Sequence, residues 1–449
     1  MTNTSEIRAI SVADALTAAR DTRELQLGSG ALARVVEVFR RQFGDRPAIV
    51  VADSQTLEVA GRRVESAFAA AGRPLQGTHV FPSDGLYAEH GFVDALAGAL
   101  AGHGAIPIAV GAGTINDVTK LAAHRTSRGY MVVATAASMD GYTAYGASIT
   151  FLGSKQTFDC PAPRAVVADI DIIRSAPREL TASGYADLMA KVTAGADWIV
   201  ADALDIEAID PSAWGMVQVN LREALSSPES AATGKADAIE RLAEALMMSG
   251  FAMQATLSSR PASGAEHQFS HLWDMQHHVH NGQAPSHGFK VGVATLAVTR
   301  LYEQLLALPL ESLDVEATVA RWPDWEDVAA DIKRRFDIPE VRDKALEETR
   351  AKYIRPEDLR HELVRLREVW PELRERLRRQ LLPATQVAGQ LRAVGAAVES
   401  DEIGITPQRL RDSFRLAYYI RRRYTVLDLA MRAGVLDVCL DRIFAEPAA

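Results

Sequence analysis

The chain has 449 residues, 48% of them hydrophobic and 24% charged, which is the make-up of a globular enzyme long enough for two domains. A formal net charge of -9 argues against a nucleic-acid binder, and two cysteines imply no disulfide framework and fit a reducing compartment. The polar N-terminus lacks the apolar core of a signal peptide and no apolar run is long enough to span a bilayer, so a cytoplasmic protein without a membrane span is expected.

After an N-terminal arm (1–25), short apolar runs alternate with helical periodicity. Residues 48–52 form an apolar run ending at Asp53, as a buried parallel strand does. Residues 56–71 place Leu57, Ala60, Val64 and Phe68 on one helical face. Strands are expected at 77–81, 106–110, 131–134 and 165–169, a helix runs through Phe92, Leu96 and Leu100, and segments 147–151 and 156–158 suggest a hairpin about Gly153. Such alternation predicts a parallel sheet wrapped by helices, with ligands at the carboxyl ends of the strands. From about residue 176 the strand pattern stops. The predicted organisation is therefore a nucleotide-binding α/β domain over 26–175 and an all-α domain over 176–449.

The exit of the third strand reads GAGTINDVTKLAA. Gly111 and Gly113 allow backbone to approach a phosphate, and a helix starting near Thr114 offers free N–H groups and the positive end of its dipole. Asn116 and Asp117 fall in its first turn, and Lys120 follows. The pattern is neither a dinucleotide-binding fingerprint nor a P-loop, and a glycine-rich turn without a ligand is the plainer alternative. Asp53 could accept hydrogen bonds from an adenosine ribose, which would favour NAD over NADP, or simply cap the next helix. The small residues from Thr135 to Ser138 leave a strand end open for a ligand. Asp140 beyond them could hold substrate hydroxyls or merely form a turn.

Residues 263–290 concentrate six of the eleven histidines: His267, His271, His277, His278, His280 and His287. Neutral imidazole is the commonest transition-metal ligand, and the bland alternative is a solvated, histidine-rich loop. His277, His278 and His280 fall in a predicted loop with solvated or secondary roles. Lys155 and Lys290 could meet a substrate phosphate, although such lysines are usually surface charges. Arg421, Arg422 and Arg423 read as a solvated helix face or a subunit contact, and 350–379 as exposed helices bearing ion pairs.

In this order, GAGTINDVTK, TAASMDG, GYADLMAK, EHQFSH and SHGFKVG, with the terminal YYIRRRYTVLDLAMRAGVL, make a chain that resembles the iron-containing alcohol dehydrogenase and dehydroquinate synthase superfamily. Within it the sequence is similar to the sn-glycerol-1-phosphate dehydrogenase family from about Leu27 onward. It departs from that pattern in the N-terminal arm and in a charged helical region, about 310–400, that looks expanded. The resemblance implies a dehydroquinate synthase-like α/β domain followed by the all-α domain. It further implies NAD or NADP, and one divalent metal (zinc, nickel or iron) held by Asp187, His267 and His287. Asp140 matches the family's substrate-contacting aspartate. His271, one helical turn from His267, is a candidate proton relay or substrate contact, or a packed histidine.

The implied reaction is the metal-dependent interconversion of dihydroxyacetone phosphate and sn-glycerol 1-phosphate. The alternatives are another polyol or phosphosugar dehydrogenase, a lyase or cyclase like dehydroquinate synthase, or a binding protein that has lost catalysis. Intact metal-ligand positions count against the last. The expected partners are a small phosphorylated substrate and, as an assembly to consider, a second copy in a homodimer.

Overall fold

The computed structural model describes residues 2–151 and 154–445; the turn expected at Gly153 and the side chain of Lys155 lie outside the described residues. Among the described residues eight strands are formed: β1 (Glu24–Gly28), β2 (Ala48–Asp53), β3 (Leu75–Phe81), β4 (Ile106–Gly111), β5 (Met131–Ala134), β6 (Ala147–Phe151), β7 (Ser154–Phe158) and β8 (Ala165–Asp169). Six of them make one wholly parallel sheet in the order β1-β8-β5-β4-β2-β3, and β6 pairs antiparallel with β7 as the expected hairpin.

The central strands read as unbroken Val, Ile and Ala runs because both faces are covered. Val50, Ala52, Ile108, Val110 and Val133 pack into one apolar cluster, while Ile49, Val51, Ala109 and Val132 pack into the other. The edge strand β1 went unforeseen. Its ELQLG is half-buried throughout and alternates polar with apolar over only five residues, with just Leu25 and Leu27 apolar, too short a pattern to mark a strand.

Connections after β2 and β4 leave on opposite faces. Leu57, Val64 and Phe68 after β2 join one cluster, and Ile115, Val118 and Leu121 after β4 join the other. Neighbouring strands whose crossovers diverge open a crevice at their carboxyl ends, where doubly wound sheets bind ligands. Asp53 closes β2 and Gly111 closes β4 on either side of that crevice.

Five helices matter for the site: α1 (Gly113–Arg125), α2 (Arg178–Ala203), α3 (Ala265–Met275), α4 (His287–Leu306) and α5 (Pro407–Tyr419). Helix α2 is buried on every side from Thr181 to Ala203, so it is the axis of the helical half. Two glycines let other backbone reach it. A Cβ at Gly184 would stand 1.9 Å from the Ala137 carbonyl oxygen, and one at Gly288 would stand 1.9 Å from that of Ser183. The first contact presses α2 against the exit of β5, and the second presses the start of α4 against α2.

The charged stretch after residue 310 forms a series of helices, the longest Pro356–Gln380, whose Leu359, Leu363, Leu366, Trp370, Leu373 and Leu377 are buried; most of its charges face out, but Arg376 is buried against Asp202. The N-terminal arm lies along the helical half: Thr2 donates from its N and Oγ1 to Asp202, and the Ile10 amide donates to the Gly215 carbonyl. Among the described residues, no helix is long and apolar enough to cross a membrane.

Candidate active site

Asp187 on α2, His267 on α3 and His287 at the first position of α4 converge, with one ligand atom of each lying within 4.8 Å of the others. Asp187 Oδ1 stands 3.5 Å from His267 Nε2, and the rings of His267 and His287 are 5.3 Å apart between centroids. The helix starts are built to hold this geometry. Ser286 caps α4 by accepting from the Phe289 amide, and the Gly288 amide donates to Ser183 Oγ. The start of α3 is capped from α2, where Asp197 Oδ2 accepts the Ala265 amide at 2.7 Å. Gly264 has no room for a side chain, since a Cβ would lie 2.5 Å from that same Asp197 oxygen.

The neighbouring carboxylates decide the imidazole's orientation. Glu266 Oε1 lies 2.8 Å from His267 Nδ1, and an ionised carboxylate only accepts, so Nδ1 carries the proton and Nε2 is turned toward Asp187. Glu266 is itself held by the Thr193 hydroxyl and the Gly264 amide. A carboxylate behind a metal-facing histidine is the usual means of fixing its tautomer. Burial lowers the basicity of His267, yet its bonds to Asp187 and Glu266 outweigh this and raise its pKa. The donor set, one carboxylate and two imidazoles, suits zinc, nickel or iron.

Lys191, one turn after Asp187 on α2, is fully buried between two carboxylates, at 2.8 Å from Asp187 Oδ1 and 2.7 Å from Asp140 Oδ2. Burial works against ionised Asp187, but the Lys191 ammonium and the His267 bond prevail and hold it well below the usual range. Burial and the Asp187 charge push Asp140 up, against the pull of Lys191. The Asp140 amide also donates to Asp187 Oδ2 at 3.1 Å, which locks the β5 exit onto the triad. Behind them, Asp197 accepts from Tyr302, Ala265 and Val426, and burial followed by the Glu266 charge raises it to about 7.

A cleft of about 540 Å³ runs from the start of α1 to the triad, lined by Gly113, Thr114, Asp117, Asp140, His287 and Lys290 among others. Gly113 packs directly under Met139, for a Cβ there would meet Met139 Cε at 2.9 Å. Other expected residues lie elsewhere. Gly111 is buried under Ile115, and Thr135 and Ser138 are buried off the cleft, the Ser138 carbonyl accepting from Ser183 Oγ. Asp53 caps the next helix through Oδ1, accepting from Gln55 and Thr56.

Two polar residues of the glycine-rich turn serve its neighbours. Lys120 is buried and donates to the carbonyls of Gly141, Ala144 and Gly146, and Asn116 donates to Gly141 as well, so together they shape the loop that carries Asp140.

The remaining histidines separate. His271 lies 6.5 Å from His267 between ring centroids and faces a different cleft. His278 is buried against the Ile403 carbonyl and Arg409, and His280 packs beside Gly404, so both serve the loop's own packing. Lys290 pairs with Asp274. Arg421, Arg422 and Arg423 follow the end of α5 and are not a helix face. Only Arg422 points outward, with its side chain 54% exposed, while all three line the cleft that His271 faces. Lys191 and Glu266 were not anticipated as site residues. Lys191 had a signal, its i+4 spacing from Asp187, and Glu266 had its adjacency to His267.

Residues 26–177 match the family model described as iron-containing alcohol dehydrogenase. The chain is 35% identical over 299 residues to a glycerol-1-phosphate dehydrogenase, NAD(P)+, of Halalkalibacterium halodurans, covering 66% of this chain and 74% of that one. It is 27% identical over 421 residues to the enzyme of the same name from Bacillus licheniformis, covering 93% and 91%. In fold it is similar to a sulfoacetaldehyde reductase of Bifidobacterium kashiwanohense solved in complex with NAD+, with a TM-score of 0.62, 14% identity, and 96% and 98% of the two chains covered.

Proposed function

The chain belongs to the glycerol-1-phosphate dehydrogenase family, and from that membership we propose that it interconverts dihydroxyacetone phosphate and sn-glycerol 1-phosphate in the cytoplasm, using NAD(P)H and one divalent metal. The observation that carries this reading is the convergence of Asp187, His267 and His287 at the end of a cleft that begins on the Gly113–Thr114 turn. When bound, the metal supplies Lewis-acid polarisation of the substrate carbonyl, and the nicotinamide supplies the hydride.

The protein's own residues do the rest. The first turn of α1 offers unbonded amides to the cofactor pyrophosphate. Lys191 keeps Asp140 and Asp187 apart in charge but close in space, so that Asp140 stands at the cleft to take a substrate hydroxyl. Glu266 presents His267 in one tautomer. His271, one turn along α3 from His267, faces the neighbouring cleft and not the one that Asp140 and His287 line, so no proton transfer is assigned to it.

The test follows NADH and NADPH oxidation by absorbance with dihydroxyacetone phosphate and with unphosphorylated dihydroxyacetone. It is run before and after chelation, with zinc, nickel and iron restored. Metal-dependent oxidation that favours the phosphorylated ketone is expected, and His267→Ala should lose both bound metal and turnover. A metal-free His267→Ala protein that still turns over would remove the site assignment. Bound metal and cofactor without net oxidation would point to a lyase-like reaction instead.

A further inference from the structure

The three residues of the metal triad stand on three different helices, so their spacing is set by how α2, α3 and α4 lie against one another. A metal site tolerates errors of only about 0.5 Å in such spacing. Ser183 and Gly288 fix one end of the α2–α4 contact. Ten residues beyond Asp187 on α2, Asp197 joins all three helices at one carboxylate. Its Oδ2 accepts the Ala265 amide, the first of α3, at 2.7 Å. Its Oδ1 accepts the Tyr302 hydroxyl of α4 at 2.5 Å and the Val426 amide, the first of the helix Val426–Arg432, at 2.8 Å. Asp197, Ala265, Tyr302 and Val426 are all fully buried.

A buried carboxylate is costly, and an apolar side chain in its place is often the more stable choice. None of the three donors carries a charge, and Arg260 donates to the Asp197 main-chain carbonyl rather than to the carboxylate. The carboxylate can do one thing that an apolar side chain cannot, which is to accept on two sides at once. Both backbone amides can only donate, so each side needs an oxygen. Neighbouring bonds close the same joint. Arg260 also donates to the Tyr424 carbonyl, and Arg423 to the Ser263 carbonyl at 2.7 Å, so residues 423–426 clasp the segment that leads into α3.

We propose that Asp197 is a positioning residue for the metal triad, which sets the places of His267 and His287 relative to Asp187 by tying α3 and α4 to α2 at one point. This rests on the reading of those three residues as metal ligands. His267 follows Ala265 by two residues, and α4 runs unbroken from His287 to Tyr302, so a shift at Asp197 is carried to both imidazoles.

The experiment uses the whole chain loaded with zinc or cobalt(II), as wild type, Asp197→Asn, Tyr302→Phe and Phe39→Leu. Whichever way the Asn side chain turns, its NH2 meets a backbone N–H, so α3 or the terminal helix must move off. Tyr302→Phe releases α4 alone. Phe39→Leu loosens an apolar cluster that holds no residue of the helical half, and it is the control for lost stability without movement at the triad. Zinc affinity, measured by competition with a chelator, should fall on the order of 10-fold in Asp197→Asn and by less in Tyr302→Phe. The absorption bands of bound cobalt(II), which report ligand geometry, should change in both. Phe39→Leu should lower the unfolding midpoint and keep wild-type affinity and bands. Wild-type affinity and bands in Tyr302→Phe and in folded Asp197→Asn overturn the proposal, even where ketone reduction proves metal-dependent. An equal loss of affinity in all three variants marks lost stability alone and overturns it too. If Asp197→Asn does not fold, Tyr302→Phe against Phe39→Leu decides. Weakened affinity and altered bands in a protein whose wild type reduces no ketone leave the positioning role standing and remove the reading of the reaction. A wild type that binds neither ion overturns the proposal together with the metal site.

Discussion

Gly288 offers the sharpest test of how the metal triad is positioned. In Gly288→Ala the new Cβ would stand 1.9 Å from the Ser183 carbonyl oxygen and 2.5 Å from its carbon, where contacts under 3.0 Å essentially never occur. The obstacle is the backbone of the buried helix α2, which cannot swing aside as a long side chain does. The start of α4 must therefore retreat by roughly 1 Å. His287 is the adjacent residue, and Asp187 lies one turn beyond Ser183, so the retreat opens the triad. Overpacking of this kind costs about 1–3 kcal/mol of stability. A 1 Å misplacement at a reacting centre costs about 100-fold in rate, or about 2.7 kcal/mol. Metal affinity is measured by competition with a chelator, and kcat by nicotinamide absorbance at saturating metal. The expected result is a folded protein with weaker metal binding and about 100-fold lower kcat. Gly389→Ala, in a helix with nothing within 4 Å of the new Cβ, is the control and should be neutral or slightly stabilising. Wild-type metal affinity and turnover in Gly288→Ala would refute the reasoning.

Lys191→Met should leave Asp187 and Asp140 as adjacent buried carboxylates without their cation, costing about 3–5 kcal/mol in the metal-free protein. Because a divalent ion replaces the lost charge, zinc should raise the unfolding midpoint of the variant more than that of the wild type; equal shifts would show that Lys191 does not balance the site. Glu348, bonded by Arg422 and Lys344 strongly enough to overcome its burial, is held down to about 2 from an ordinary 4.5. The stability it contributes is present above pH 4.5 and is lost as pH falls toward about 2. Denaturant midpoints of Glu348→Gln should be lower than wild type at neutral pH and flatter across that acid window, and parallel curves would contradict the assignment.

The sheet was legible because a strand covered on both faces needs no partner to be recognised. Residues 106–110 and 165–168 are apolar throughout, and the observed β4 and β8 match them to within one residue. The start of α1 was legible for a similar reason, since Gly111 and Gly113 announce a close approach of backbone whichever atoms approach. The roles of Asn116 and Lys120 were not. The sequence shows only that they sit in and after the first turn of a helix, whereas their partners are carbonyls of residues 141–146, which only the closing of the loop over α1 brings near.

What stayed hidden shares one physical origin, which is that charge is balanced across the fold and not along the chain. Asp197 caps α3 from 68 residues away and Ser259 gathers Arg421 and Arg423 from more than 160. Periodicity assigns a face to a side chain from its neighbours on the same helix, and it made three consecutive arginines a solvated surface. They are not on a helix, and consecutive residues of an extended loop point alternately, so Arg421 and Arg423 share Ser259 while Arg422 turns out to Glu347 and Glu348. The same reasoning explains the buried acids of the triad. Asp187 and Asp140 are set around one ammonium, Lys191, and Glu266 against one imidazole, His267, which leaves the pocket short of positive charge. A pocket so balanced favours a divalent cation at its centre.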